Sequence, residues 1–299
     1  MKVCNKISPT FVAPNRIFMK DIFQLTAIAS QVRRDIIRMV TAAQSGHPGG
    51  SLSSADFLTA LFFNILNHNP QTWTRDGWHS DMFFLSIGHI TPVYYSLLAR
   101  SGYFDIAELS TFRQLGSRLQ GHPSVEEGLP GVHVATGSLG QGLSVAVGAA
   151  LAKKWNGDPA LVYALIGDGE TQEGQIWEAA LFAAHHKVDN LIVMTDWNGQ
   201  QIDGPVEQVG RLGDLQQKWN SFCWETLVVP GHDMQAILDG FNRAKTLSKK
   251  GKPVMMLMQT QMGQGVDFMC GTHEWHGKAP GTTLAAGALA QLEETLGDF

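Results

Sequence analysis

Hydrophobic and polar positions change their spacing part-way along the chain, near Asp158. Before that point, apolar residues recur every three or four positions, which predicts amphipathic helices in residues 23–43, 51–66, 91–102 and 143–155. Ser51 or Ser53 is the candidate N-cap of the second helix. Residues 113–142 are rich in Gly and Pro and predict a loop, and loops of this length usually have a function.

After Asp158, short apolar runs alternate with helical patterns. The runs that predict strands cover residues 160–167, 190–196, 224–231 and 253–260, and the helical patterns cover residues 174–187, 212–222, 233–249 and 282–299. Continuous apolar strands separated by helices are typical of a parallel sheet that is covered on both faces. The sequence therefore predicts an α/β fold, a doubly wound and mostly parallel sheet with helices on both faces. We predict a loose extension over residues 1–20, with Met19 as an alternative start to Met1, and a single domain over residues 21–299.

Two consecutive predicted strands end in polar residues that suit a metal ion. "VYALIGDG" ends at Asp168, and "NLIVMTDWN" ends at Asn198. A right-handed β-α-β crossover brings these two ends to the same edge of the sheet, where ligands of open α/β sheets bind. Carboxylate, amide and carbonyl oxygens suit Mg²⁺, which fills its remaining positions with phosphate oxygens and water. A Gly-Asp-Gly turn with a helix-capping Asn is the alternative interpretation, and this pattern leaves both open.

Further candidates lie in glycine-rich loops. "GSLGQG" (137–142) precedes a predicted helix and is either a phosphate cradle or a tight turn. Histidines stand next to or near glycine at His47, His89, His122 and His276. A loop histidine beside glycine suits ligand contact or proton transfer, although for each one alone the pattern favours a solvated loop histidine. Cys270, His273 and His276 provide a weak pattern for zinc.

Composition excludes several classes of function. The chain has 299 residues, 44% of them hydrophobic, and a net charge of −5. Scattered charges argue against nucleic-acid and membrane partners. The three cysteines are too few for a disulfide framework, and no run of about 20 apolar residues is present. We therefore expect a cytoplasmic protein.

Several of these stretches, in this order, resemble the transketolase family, whose members use thiamine diphosphate. The matching stretches include "SGHPGGSLSSAD", "LSIGHITPVYYSLL", "FRQLGSRLQGHPS", "GVHVATGSLGQGLSVAVGAALA", "IGDGETQEGQIWEAALFAAHHKVDNLIVMTDWNGQQIDG" and "GTHEWHG". They span about residues 25–277, and the run 131–204 is the most specific part. The resemblance implies a thiamine diphosphate-binding fold and transfer of a two-carbon ketol unit from a ketose (phosphate) donor to an aldose (phosphate) acceptor in carbohydrate metabolism, including pentose phosphate metabolism.

The resemblance also implies roles for particular residues. It assigns Mg²⁺, with Ca²⁺ or Mn²⁺ as alternatives, to Asp168, Asn198 and the carbonyl of Gln200. The cofactor contacts that it implies are His89, Gly137, Leu139, Gly169, Asn198 and His276. The catalytic residues that it implies, facing substrate hydroxyls and the developing alkoxide, are His47, His122 and His276. Glu173 is expected in a charged network at a subunit boundary.

Length departs from the full family pattern. The pyrimidine-binding domain, with its activating Glu, and the C-terminal domain have no counterpart in this chain. The resemblance is therefore to the N-terminal, diphosphate-binding subunit of a split transketolase, which would need a C-terminal partner subunit. It would form a homodimer alone or a heterotetramer with that partner. The alternatives are the alpha subunit of a thiamine-dependent 2-oxo acid dehydrogenase and a non-catalytic binding module derived from the fold.

Overall fold

The computed structural model describes residues 19–299, so most of the predicted extension 1–20 lies outside the described residues. A five-stranded sheet organises this part of the chain. Its strands are β1 (Met82–Leu85), β2 (Val162–Gly167), β3 (Leu191–Trp197), β4 (Glu225–Pro230) and β5 (Val254–Gln259). The spatial order is β1-β2-β3-β5-β4, and every neighbouring pair is parallel. The predicted α/β fold with a parallel sheet is confirmed.

Helices lie on both faces of the sheet because its strands are apolar on both faces. The helices are α1 (Ile22–Ala43), α2 (Pro48–Ser53), α3 (Ala55–Ala60), α4 (Thr91–Arg100), α5 (Gln141–Trp155), α6 (Gly174–His185), α7 (Val206–Val209), α8 (Leu215–Ser221), α9 (Met234–Leu247) and α10 (Thr282–Leu289). In β2, Tyr163 and Leu165 face the core that α1 and α4 cover. Val162, Ala164 and Ile166 face the core under α5 and α6. The doubly wound arrangement follows from this alternation.

Three predictions about local structure are wrong. Strand β1 lies before the first predicted strand, in a four-residue apolar run that is too short for a clear period. The second helix begins at Pro48, a favoured first position, so Ser51 and Ser53 lie inside α2 instead of capping it. The helical pattern 51–66 is divided among α2, α3 and a π-helical turn over Leu61–Ile65.

The tail 282–299 is not one helix. Helix α10 ends at Leu289 because the Arg34 guanidinium donates to the carbonyls of Leu289 and Leu292, at 2.9 and 2.8 Å. Asp298 then folds back onto α1 and accepts from Arg34 at 2.7 Å. A tertiary contact to α1 thus replaces the helical hydrogen bonds of the tail.

Candidate functional site

The carboxyl ends of the parallel strands meet at one edge of the sheet and surround a cleft of about 350 Å³. His89 follows β1 in a short 3-10 turn, Asp168 follows β2, and Asn198 follows β3. Gly169, Leu139, Gln200 and His276 also line the cleft. Residues that are far apart in the sequence are thereby placed around one space, as expected for an open α/β sheet.

Asp168 is a buried carboxylate whose hydrogen bonds come from the backbone. Its Oδ1 accepts from the Gly169 N–H at 2.7 Å, and its Oδ2 accepts from the Gly199 N–H at 2.6 Å. The second bond joins the ends of β2 and β3, so Asp168 and Asn198 lie at adjacent positions as predicted. Burial first, and the nearby Asp196 second, raise the pKa of Asp168 to about 7. The ionised form of Asp168 would therefore be stabilised by a cation bound next to it.

Asn198 is oriented by Asp196, a residue that sequence reasoning did not select. The Asn198 Nδ2 donates to Asp196 at 2.8 Å, while its Oδ1 accepts from the Gln200 N–H at 2.9 Å. Asp196 also accepts from Ser53 Oγ at 2.6 Å and from Thr260 Oγ1. These partners fix the orientation of the Asn198 amide, so the Asn198 Oδ1 points away from Asp196 and towards the Gln200 N–H.

The donor set at this edge fits a divalent cation that prefers oxygen. It combines one buried carboxylate, one amide oxygen and the backbone of Gln200, which lies in a two-residue strand paired with Gly204–Pro205. Each oxygen of Asp168 accepts a single hydrogen bond, which leaves a lone pair for a metal. No group of three His, Cys, Asp or Glu side chains within residues 19–299 is placed to hold a metal ion. The zinc interpretation of Cys270, His273 and His276 is therefore wrong, whereas a mixed set of carboxylate, amide and carbonyl oxygens suits Mg²⁺.

The four glycine-associated histidines form one cluster. The ring centroids of His47 lie 5.0 Å from His89, 6.4 Å from His122 and 5.8 Å from His276. His89 and His276 lie 5.0 Å apart. Four loops that are distant in the sequence thus place their imidazoles together beside the cleft, which no single loop pattern could establish.

These imidazoles are neutral at neutral pH. Burial, followed by the charges of His276, Arg113 and His122, lowers the pKa of His47 to about 4. Burial also lowers the pKa of His276 to about 4 and the pKa values of His89 and His122 below their usual range. Neutral imidazoles can both donate and accept hydrogen bonds, which suits contact with sugar hydroxyls and proton transfer.

Several buried polar atoms beside the cleft have no partner within residues 19–299. They are the Nδ1 atoms of His47 and His276 and the Oγ1 of Thr136. A buried polar atom without a hydrogen bond is costly in a native protein. Of these residues His276 lines the cleft, and the His47 ring lies 5.8 Å from the His276 ring, so a bound polar molecule could supply the missing partners of these two histidines.

The glycine-rich loop approaches the cleft closely. Gly137 has φ +153°, and a Cβ there would lie 3.0 Å from the His122 ring. Gly140 has φ +85° and precedes α5 directly, as the loop-to-helix prediction requires. A Cβ on Gly169 would lie 3.0 Å from Gln201. A side chain at Gly137 or Gly169 would press against His122 or Gln201, so glycine allows the backbone to lie close to these residues.

The segment after Asp168 agrees with the predicted helical pattern 174–187, because α6 starts at Gly174. A 3-10 turn over Gly169–Gln172 separates Asp168 from this helix. The Gly169 N–H donates to the Asp168 carboxylate, so the N–H groups at the start of α6 lie one turn further along the chain.

Glu170 is a second residue that sequence reasoning missed. It is buried, and its Oε1 accepts from Ser86 Oγ at 2.5 Å and from the Gly140 N–H at 2.8 Å. Its Oε2 accepts from the Gly167 N–H at 3.1 Å. One carboxylate thus joins the ends of β1 and β2 to the glycine-rich loop. The neighbouring Glu173 is exposed at the start of α6, beside the cleft.

Comparison with known proteins places the chain in a family. The family described as "Transketolase, thiamine diphosphate binding domain" matches residues 25–298. The chain belongs to the transketolase family. The prediction of a thiamine diphosphate-dependent transketolase subunit is confirmed at this level, and the match favours it over the 2-oxo acid dehydrogenase alternative.

Two relatives have nearly the same length as this transketolase-family chain. The 6-deoxy-6-sulfo-D-fructose transketolase subunit SqwG of Clostridium sp. (strain MSTE9) is 38% identical over 267 residues, which cover 89% of this chain and 95% of that protein. An apulose-4-phosphate transketolase subunit of Actinobacillus succinogenes is 37% identical, with coverage of 91% and 96%. Both are named as subunits, which agrees with the prediction of a split enzyme.

Solved transketolases share the fold. The structure of transketolase from Campylobacter jejuni matches with a TM-score of 0.85 at 35% identity, covering 91% of this chain. The chain spans 43% of the length of that protein. None of the helices within residues 19–299 is both long and apolar enough to cross a membrane.

Proposed function

We propose that this chain is the diphosphate-binding subunit of a two-chain transketolase that transfers a two-carbon ketol unit from a ketose to an aldose. In this proposal Asp168, Asn198 and the Gln200 carbonyl hold Mg²⁺ on the diphosphate. His89, Gly137, Leu139, Gly169 and His276 contact the cofactor, and His47, His122 and His276 face the substrate. The observation that carries the proposal is the common cleft that Asp168, His89 and His276 line, with the rings of His47 and His122 clustered next to these histidines.

The chain's own residues would orient the reactants and move protons. Thiamine diphosphate, when bound, supplies the carbon nucleophile that attacks the ketose carbonyl. The Nδ1 atoms of His47 and His276 have no partner within residues 19–299 and could donate to oxygens that gain charge. Because their pKa values are lowered to about 4, both imidazoles are neutral near neutral pH, so each can accept a hydrogen bond at one ring nitrogen and readily releases a proton that it takes up. Burial of Asp168 keeps water from competing for the metal.

A partner subunit is part of the proposal, and α5 and α6 offer the surface for it. These adjacent helices carry apolar side chains that are exposed to solvent in the single chain, including Leu181 at 62% and Phe182 at 47% exposure. Burying such side chains against a partner would be favourable. A Cβ on Gly140, just before α5, would lie 3.0 Å from Cβ of Glu173, just before α6. Both helices therefore begin at the cleft, and a subunit on this face would reach it. Glu173 would then lie at the subunit boundary.

The substrates are proposed by class. The two full-length relatives are named for sugars that carry a sulfonate and a phosphate, respectively. We infer that the substrates of this chain are also sugars with a terminal anionic group, in pentose phosphate or related carbohydrate metabolism. A cytoplasmic location is proposed from the low cysteine content.

The test is an assay of the chain with and without a pyrimidine-binding transketolase subunit, such as the product of an adjacent reading frame. With thiamine diphosphate, Mg²⁺, xylulose 5-phosphate and an aldose phosphate, we expect ketol transfer only when both subunits are present. Pyruvate replaces the ketose in a parallel reaction and should not be consumed. Pyruvate decarboxylation without ketol transfer, or turnover by the isolated chain at rates typical of enzymes, about 1–10³ per second, would contradict the proposal.

A further inference from the structure

Arg113 lies between two of the loops that carry the histidine cluster. Its Nη1 donates to the Oγ of Ser45, two residues before His47, at 2.6 Å. Its Nη2 makes a longer bond, 3.4 Å, to the carbonyl of Gly121, which directly precedes His122. One rigid guanidinium therefore connects the loop of His47 to the loop of His122.

The partners of Arg113 distinguish it from the other buried or half-buried arginines. Arg33, Arg34, Arg100 and Arg118 each form an ion pair with a carboxylate. The side-chain hydrogen bonds of Arg113 go only to neutral oxygens of residues 19–299, and its buried Nε has no partner among them. The positive charge of Arg113 is thus not neutralised by a neighbouring carboxylate.

The local backbone is shaped around this side chain. Arg113 has φ +59°, a left-handed conformation that costs energy for a residue with a Cβ. Its N–H donates to the Leu119 carbonyl at 2.9 Å and closes the loop. A Cβ on Gly121 would lie 2.8 Å from Cζ and Nε of Arg113, so the glycine leaves space for the guanidinium. Strained residues of this kind persist where the surroundings hold them in place.

We propose that Arg113 is a positioning residue, which fixes His47 and His122 relative to each other by joining their two loops through Ser45 and Gly121. Its charge has a second effect on the same histidines. The positive charge of Arg113 lowers the pKa of His47, in addition to burial and to His276, and it lowers the pKa of His122 after burial. Arg113 therefore supports the neutral form of both imidazoles.

The first test measures the histidines directly, without enzyme turnover. The imidazole signals of His47 and His122 are followed by NMR against pH in the full chain, in the wild type and in Arg113→Gln. Loss of the charge should raise both titration midpoints by roughly half a unit or more, because a nearby cation no longer opposes protonation. The other groups that face His47 are His89, His122 and His276, and they are unchanged in this variant. Arg118→Gln is the matched control, since Arg118 lies in the same loop but binds Glu108.

The second test separates the connection from the charge. Ser45→Ala removes the hydroxyl that accepts from Arg113 Nη1, and Arg113→Lys removes the pair of guanidinium nitrogens that bind Ser45 and Gly121. Both variants keep the positive charge at position 113. In the two-subunit complex we expect each variant to lower kcat about tenfold, since small displacements of catalytic groups cost this much or more. The titration midpoints of His47 and His122 should stay near those of the wild type.

The results decide the two claims independently. Unchanged midpoints in Arg113→Gln would overturn the electrostatic effect, and full kcat in both Ser45→Ala and Arg113→Lys would overturn the positioning role. If Arg113→Gln does not fold, as judged by circular dichroism, Arg113→Lys and Ser45→Ala still test the connection. The turnover arm rests on the proposed function. An inactive wild-type complex would refute that function, whereas the NMR arm would still report on Arg113.

Discussion

Two regions of this molecule that contain buried charges partner them differently. On the α1 side, Asp35 accepts from Arg100 Nη2 at 2.8 Å and from Ser96 Oγ at 2.6 Å. Asp56 binds both nitrogens of the Arg33 fork, at 2.8 and 2.6 Å. These carboxylates have their cations within the fold.

At the cleft, the corresponding groups have no such partner. Among the described residues, Asp168 accepts hydrogen bonds only from backbone N–H groups, and its pKa is raised to about 7. The neighbouring Arg33 and His232 instead hold the pKa of Asp56 at about 2. His47 and His276 each have a buried nitrogen without a partner among residues 19–299. The α1 side uses its buried charges for stability, and the cleft leaves its polar groups available for ligands.

The largest effect on function is expected from Asp168→Ala. Removal of the carboxylate should abolish metal and cofactor binding, and activity in the two-subunit complex should fall by about 10³-fold or more. Calorimetry should show no saturable binding of thiamine diphosphate with Mg²⁺ at micromolar concentrations in the presence of the partner. Asp239→Ala, an exposed site on α9, serves as control. Binding like that of the wild type in Asp168→Ala would refute the assignment.

The largest effect on stability is expected on the α1 side, from Arg100→Ala. This change leaves the fully buried Asp35 without its cation, and breaking a buried pair costs about 3–5 kcal/mol in the free energy of unfolding. Urea denaturation measures the loss. Arg211→Ala, in which the arginine of an exposed pair with Glu207 is removed, should change stability by less than about 0.5 kcal/mol. Equal losses in the two variants would show that the α1-side pair has no special role.

In contrast to Arg100→Ala, His47→Ala and His276→Ala are expected to reduce activity much more than stability. Each loses a donor to an oxygen that gains charge, so turnover should fall about 10²–10³-fold. The free energy of unfolding should change by a smaller amount, because both side chains lie in loops beside a cleft and outside the apolar core. Steady-state kinetics and urea denaturation measure the two effects. Full activity, or failure to fold, in both variants would remove the histidines from the proposed mechanism.

A smaller effect concerns the pH dependence of stability. The folded-state pKa values of His47 and His276 are lowered from 6.5 to about 4, so between these values the unfolded chain binds more protons. The contribution of these two histidines to stability should therefore fall as pH decreases from about 6.5 to about 4, by up to about 3 kcal/mol for each. Asp168, whose pKa is raised from 3.8 to about 7, contributes with the opposite sign over this range, so the histidine contribution is measured as the difference between the wild type and a histidine variant. His276→Asn should reduce this slope in urea denaturation.

The α1 side should respond in a different pH window. The pKa values of Asp56 and Asp298 are lowered from 3.8 to about 2, so their stabilising effect is present above 3.8 and is lost as pH falls towards 2. Arg33 lowers the first after the opposing effect of burial, and a hydrogen bond from Arg34 lowers the second. If the wild type and His276→Asn show the same pH dependence of stability between pH 6.5 and 4, His276 does not titrate as the structure indicates.

Local signals predicted much of the fold. Continuous apolar runs identified β2, β3, β4 and β5, and helical spacing over residues 23–43 identified α1. β1 was missed because four apolar residues between helical patterns carry too little periodicity. The end of α10 was missed because Arg34, more than 250 residues earlier, supplies its terminal contacts.

The sequence by itself determined the α/β class, the family and the residue types at the strand ends. Periodicity and short motifs are local properties, so they can be read without knowing which segments meet. Only the tertiary structure decided that His47, His89, His122 and His276 form one cluster, and that Asp196, Glu170 and Arg113 hold its surroundings in place. These contacts join segments that are distant in the sequence, and burial in the folded chain then sets the pKa values and leaves the unpartnered atoms on which the proposed chemistry depends.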